Sequence, residues 1–213
     1  MKQSRFGHLF SKKKAEQDHL PSANAKKAVL VFLTLFLLLY INVKPYSGTA
    51  HQITGIGTYL FTLYQFIINQ TLGIVHEGGH GVCYILPCPQ FVMVAMGTLF
   101  QWFFPLGIAC YYKRKGNLTA FYIGLFILGI SMDYTSWYMS TAHEGLHLPA
   151  SKSFLGVDAL HDFNYIFSTL GILPYESLVS GVTKMLAYLL MTGSVIAMFF
   201  EAFSNRSTLK KER

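Results

Sequence analysis

The chain has 213 residues, of which 52% are hydrophobic and only 13% charged, with a formal net charge of +7. Globular chains carry roughly a quarter charged residues, so this balance excludes an ordinary soluble domain and fits an all-α, polytopic membrane helix bundle of about five or six spans. The positive charge sits in the tails and one short loop and not along a patterned face, which argues against nucleic acid as a partner and for membrane topology.

Residues 1–27 form a basic arm with seven Lys or Arg, expected on the cytoplasmic side. Residues 28–203 follow as a single membrane-embedded domain, and 204–213 as a basic tail. Ala28 to Val43 is a continuous apolar run and reads as the first span. Gly48-Thr49-Ala50 offers small residues for signal cleavage, but the basic region before the run is too long for a typical signal, so an anchor is expected.

Thr58 to Leu86 predicts a second helix, made less apolar by Gln65, Asn69 and Gln70. Its later half contains Gly73-Ile-Val-His-Glu-Gly-Gly-His-Gly81, an HExxH motif of His76, Glu77 and His80. Four residues on a helix turn through about 400°, so both imidazoles share a face and can reach one metal ion. Glu77 points about 100° away, placed to take a proton from a metal-held water without being a ligand. Imidazoles and carboxylates are expensive in hydrocarbon, and residues of this kind inside a membrane are functional by default. The distance from Thr58 to His76 is about 27 Å along a helix, near one hydrocarbon thickness, which places the metal toward the far leaflet. Gly78, Gly79 and Gly81 leave one side of the helix bare for a neighbouring helix or an extended substrate, helix packing being the simpler use.

Pro87 and Pro89 stop this helix. Cys83, Cys88 and Cys110 make neither a CxxC pair nor an even framework, and they are not expected among the ligands. Val92 to Tyr112 predicts a third span ending at Lys113-Arg114-Lys115-Gly116, and Leu118 to Met139 a fourth. Gln101 and Asn69 suit interhelical hydrogen bonds, whereas Asp133 suits either support of the site or a place near the membrane surface.

Ser140 to Leu160 is polar and interfacial in character. It holds a second HExxH, His143-Glu-Gly-Leu-His147, but Gly145 and Pro149 argue against a continuous helix, so a polar loop is expected and Glu77 is preferred to Glu144 as the base. His161 to Leu173 is too short to span upright, and Lys184 to Phe203 predicts the last span. If the short stretch crosses, both termini face the cytoplasm and Lys113 to Lys115 fall on the outer side, against the positive-inside rule. Either the terminal charge prevails or one segment is re-entrant.

Two histidines need a third protein ligand, with a fourth position left for water. The best region is Gly156 to Phe167, where His161 or Asp162 would bind while Asp158 and Asn164 orient the His161 ring. Ligand frequency leans to His161. The same residues also suit the capped start of a helix.

The HEGGH late in a second membrane helix, followed by an acidic segment, resembles the site-2-protease-like intramembrane zinc metallopeptidases, in their short form without a PDZ domain. The resemblance covers roughly residues 58 to 170. It implies that His76, His80 and an aspartate hold Zn²⁺ and that Glu77 activates water to cleave a membrane-anchored polypeptide. The family's Leu-Asp-Gly triplet with preceding Asn and Pro is replaced here by Leu160-His161-Asp162-Phe163, and Asp162 is the nearest equivalent. Two other classes compete. One is a multi-histidine di-iron lipid hydroxylase or oxidase drawing on His76, His80, His143, His147 and His161, although adjacent-histidine boxes are missing. The other is a membrane assembly factor that keeps the motif without activity.

Overall fold

The structure is a computed structural model that describes residues 21–43, 55–149 and 159–203. It is an all-α bundle: α1 (Ala23–Val43), α2 (Ile56–Ile85), α3 (Gln90–Arg114), α4 (Leu118–Ser140), α5 (Asp162–Leu170) and α6 (Glu176–Phe203). A two-residue hairpin, β1 (His147–Leu148) and β2 (Ala159–Leu160), pairs antiparallel before α5. Local chemistry sets the boundaries. Ser22 accepts the Ala25 N–H at the start of α1, Asn117 accepts the Ala120 N–H at the start of α4, and Gly171 closes α5 with φ +69°.

Four helical stretches, Ala23–Val43, Gln90–Arg114, Leu118–Glu144 and Leu173–Phe203, are long and apolar enough to cross a membrane. Their outward sides carry Leu35, Leu38, Phe103, Ile108, Leu189 and Phe199, all exposed, a surface suited to lipid and not to water. The last helix begins at Glu176, eight residues earlier than the apolar run at Lys184 indicates. A mixed segment, Glu176 to Thr183, is helical because it packs on α4 through Ser180 and Thr183, and hydropathy alone does not register that contact.

α4 is the axis of the bundle. It packs along most of its length on α6, where a Cβ at Gly129 would lie 2.5 Å from Met191 Cγ and 2.9 Å from the Ala187 carbonyl oxygen. Small polar residues line the same seam, and Ser136 donates to the Ser180 carbonyl at 3.0 Å. Without a hydrophobic driving force inside lipid, close approach of small residues and hydrogen bonds of this kind hold helices together. α3 lies on α4 through Ala109 against Gly124, Gln101 against Ser131 and Trp102 against Thr135. Asp133 is buried and turned toward α1, where Tyr40 donates to its Oδ2 at 2.7 Å. It fastens the first helix to the bundle, and neither the site support nor the surface position read from the sequence describes it.

These contacts fix the direction of each helix. Lys26 pairs with Glu201, Leu30 packs with Met198 and Ala202, and Tyr40 reaches Asp133, so α1 runs antiparallel to α6. The four apolar stretches therefore alternate in direction. α2 lies antiparallel to α3, with His76 opposite Gln101 and His80 opposite Met93, and so points the same way as α1. Lys113 to Lys115 come to the end of the bundle that holds Lys26 and Lys27, not to the opposite end as a simple alternation of five or six spans requires. The possible cleavage site at Gly48 to Ala50 lies outside the described residues.

Candidate metal centre

α2 carries His76 and His80 on the face that meets α3. Two glycines make that meeting close enough. A Cβ at Gly79 would stand 2.3 Å from the Met96 carbonyl oxygen, and one at Gly97 would stand 2.4 Å from His80 Nε2 and 2.6 Å from His76 Nε2. Gly79 thus serves helix packing, whereas no atom lies within 4 Å of a Cβ at Gly81. The α3 backbone at Gly97 forms the floor of the site.

Each imidazole is held through its far nitrogen. His80 Nδ1 lies 2.8 Å from the Met93 carbonyl oxygen, which only accepts, so Nδ1 carries the hydrogen. His76 Nδ1 lies 3.1 Å from Gln101 Oε1, and the Gln101 amide nitrogen donates to Ser131 Oγ at 2.9 Å, which fixes Oε1 as the acceptor. Both rings therefore turn a bare Nε2 inward.

Asp162, the first residue of α5, brings a carboxylate oxygen to the same point. Its Oδ2 is 2.9 Å from His76 Nε2 and 3.4 Å from His80 Nε2, and the two Nε2 atoms are 3.1 Å apart. Its backbone N–H donates to Tyr138 Oη at 3.1 Å, which orients the first turn of α5.

Three lone pairs thus converge within 3.4 Å of one another, an arrangement that repels itself unless a cation lies between them. Ligands about 2.0–2.1 Å from a tetrahedral zinc ion are separated by about 3.3 Å, close to all three edges of this triangle. Among the described residues, His76, His80 and Asp162 are the group of His, Cys, Asp and Glu side chains that could share a metal ion. His76, His80 and Asp162 all line a pocket of about 260 Å³, together with Glu77, Tyr84, Met93, Tyr138, Leu148 and Leu160. Glu77 lines the pocket without joining the triangle.

His161, favoured as the third ligand on frequency, is turned elsewhere. It is the N-cap of α5, with Nδ1 accepting the Asn164 N–H at 3.4 Å and Nε2 donating to Thr141 Oγ1 at 3.1 Å. Its ring stacks on Tyr138 with centroids 4.4 Å apart. Both nitrogens are engaged, leaving no lone pair for a metal. The Asn164 side chain does not orient that ring as expected: only its backbone N–H meets the ring, and its amide donates to the Ala142 carbonyl at 2.8 Å; Asp158 lies outside the described residues.

The second HExxH is not a helix. A short 3₁₀ turn, Ala142–Glu144, ends at Gly145 with φ +112°, and His147 belongs to β1. His143 binds Glu176 through both its backbone N–H and Nδ1, a contact that joins the turn to the start of α6. The five histidines of the di-iron alternative are therefore not gathered at one point. Cys83 and Cys88 form a disulfide across the turn that follows the motif, and Cys110 is free.

Gly97 and Tyr138 were not singled out by the sequence, and Gln101 was read only as an interhelical partner. Gln101 is that, through Ser131, and it also holds a ring of the site. α3 holds only two glycines, Gly97 and Gly107, in an otherwise bulky span, and that is the one trace that could have flagged position 97. Comparison with protein-family models, curated proteins and solved structures gives no match for this chain.

Proposed function

We propose that the protein is a multi-pass membrane zinc metallopeptidase in which His76, His80 and Asp162 hold Zn²⁺ and Glu77 is the general base. The observation that carries this reading is the convergence of two bare imidazole nitrogens and a carboxylate oxygen on one point beside a pocket that Glu77 lines. The donor set of two nitrogens and one oxygen suits zinc with one position open to water or substrate. Zinc held there would acidify a water and polarise a scissile carbonyl.

The residues of the chain do the remainder. Glu77 accepts the proton of the attacking water and returns it to the leaving amide nitrogen. Gln101 and the Met93 carbonyl keep both rings in the ligating tautomer, and Tyr138 holds the turn that presents Asp162. The substrate is a membrane-anchored polypeptide whose scissile bond lies in an unwound stretch, because a helical backbone shields its own carbonyls. The amino terminus is cytoplasmic on this reading, in keeping with the cations gathered at the end of the bundle where α1 begins.

The test is a pair of measurements on the full-length protein in detergent and in its host membrane. Metal analysis should give close to one zinc per chain for the wild type and for Glu77→Gln, and little for Asp162→Ala. Membrane polypeptides that are shortened in cells with the wild type should accumulate intact with Glu77→Gln. Two irons per chain, or undiminished cleavage by Glu77→Gln, would overturn the proposal.

A further inference from the structure

The described cations, apart from Lys184 two turns inside α6, are gathered at one end of the bundle. Lys26 pairs with Glu201, Lys27 lies over the Phe203 ring at 5.4 Å, and Lys113 lies over the Phe121 ring at 4.9 Å, with Arg114 and Lys115 beside it. The metal centre, the hairpin and the His143–Glu176 contact are at the other end. The described residues from Gly55 to Tyr112, from Gly116 to Pro149 and from Ala159 to Thr183 include no Lys or Arg, and the sequence between the described segments adds only Lys44 and Lys152, against seven Lys or Arg in residues 1–27, three at 113–115 and four in 204–213. Lys and Arg close to span ends are retained on the cytoplasmic side.

A second observation is independent of charge. The Cys83–Cys88 disulfide closes the turn between α2 and α3, three residues beyond His80 and five before Met93, whose carbonyl holds the His80 ring. Disulfides persist in oxidising compartments and are rare where thiols are kept reduced. The third cysteine, Cys110, lies toward the basic end of α3 and is free.

We propose that the metal centre opens on the membrane face opposite the cytoplasm and acts on polypeptides anchored in the membrane whose scissile segment is presented from that oxidising side. The chemistry rests on the peptidase reading above, but the orientation stands without it. The four apolar stretches alternate from a cytoplasmic Lys26 to a cytoplasmic carboxyl-terminal end, and the motif helix brings His76 and His80 to the far face. The pocket wall there, Tyr84, Leu148 and Leu160, meets an approaching chain with apolar side chains.

Substituted cysteines test the orientation. In a Cys110→Ser background that keeps the native disulfide, single cysteines are placed at the exposed Leu146 and Tyr175 near the metal end and at Lys115 at the basic end. Right-side-out sealed membranes are treated with a sulfonated, impermeant maleimide before and after permeabilisation. Leu146→Cys and Tyr175→Cys should label equally in both conditions, and Lys115→Cys only after permeabilisation. In parallel, acid-trapped wild-type protein treated with a mass-adding maleimide should show one reactive thiol without reductant and three with it. Labelling of Lys115→Cys from outside, protection of both metal-end cysteines, or three reactive thiols without reductant would overturn the proposal. Zinc content measured on the same preparations reports separately on the metal reading, so failure of one is told apart from failure of the other.

Discussion

Gly97→Ala is the sharpest perturbation the structure offers, because it adds one carbon beneath the candidate metal centre and removes no contact. That carbon would lie 2.4 Å from His80 Nε2 and 2.6 Å from His76 Nε2, against an ordinary carbon–nitrogen contact of about 3.4 Å. One or both rings must therefore retreat by nearly 1 Å, while a working site holds its ligand distances to within about ±0.2 Å. The rings have little freedom to do so, since Gln101 and the Met93 carbonyl fix their far nitrogens. Loss of an orienting partner alone typically lowers metal affinity by about 10- to 100-fold, and displacing a ligand itself should exceed that. Chelator competition should accordingly show zinc affinity reduced at least about 100-fold. Helix propensity acts in the opposite direction, favouring Ala over Gly by about 1 kcal/mol, so the variant should remain folded. Gly107→Ala, on the same helix with no atom within 4 Å of the added carbon, is the matched control and should bind zinc as the wild type does. Wild-type zinc affinity in Gly97→Ala would refute the placement of the two rings against α3.

Asp162→Asn should lose most of its zinc by metal analysis whereas His161→Ala keeps it; the reverse result would restore His161 as the ligand. Gln101→Ala should weaken zinc binding by about 10- to 100-fold in the same competition assay, by freeing His76 Nδ1 from its acceptor. Tyr40→Phe removes the hydrogen bond to a carboxylate whose Oδ1 already has no hydrogen-bond partner, and should lower stability in a detergent unfolding titration by about 1–3 kcal/mol with zinc content unchanged. Replacing both Cys83 and Cys88 with Ser should lower zinc retention under chelator challenge, since the turn they close leads directly to Met93.

The bundle was legible because its signals are local. Continuous apolar runs, Pro87 and Pro89, and the basic turn at Lys113 mark α1 to α4 within a few residues. The start of α6 was not legible, because Glu176 to Thr183 is helical through contacts with α4 that no local pattern records. Helix direction was misjudged at the basic turn for a similar reason. Hydropathy counts candidate crossings, but only packing shows that α2 runs parallel to α1, which brings Lys113 back to the end that holds Lys26. The disulfide was hidden as well: a spacing of five has no standard signature, and the two sulfurs meet only because the chain turns at Pro87.

The two HExxH segments show why a motif needs its backbone. At His76 two of the three residues between the histidines are glycines, but the helix continues in both directions and α3 supports it at Gly79, so the rings stay on one face. At His143 one intervening glycine adopts φ +112°, and the chain leaves the helix before His147 can align. Spacing supplies the residues in either case; a continuous, laterally supported helix decides whether they form a site. The third ligand follows the same logic in reverse. His161 and Asp162 are adjacent, and the start of α5 separates them: the N-cap turns His161 inward onto Tyr138 and the first helical residue turns Asp162 to the imidazoles. Ligand frequency weighs side chains alone, whereas the capped helix start determines which of the two carries a free lone pair to the His76 and His80 imidazoles.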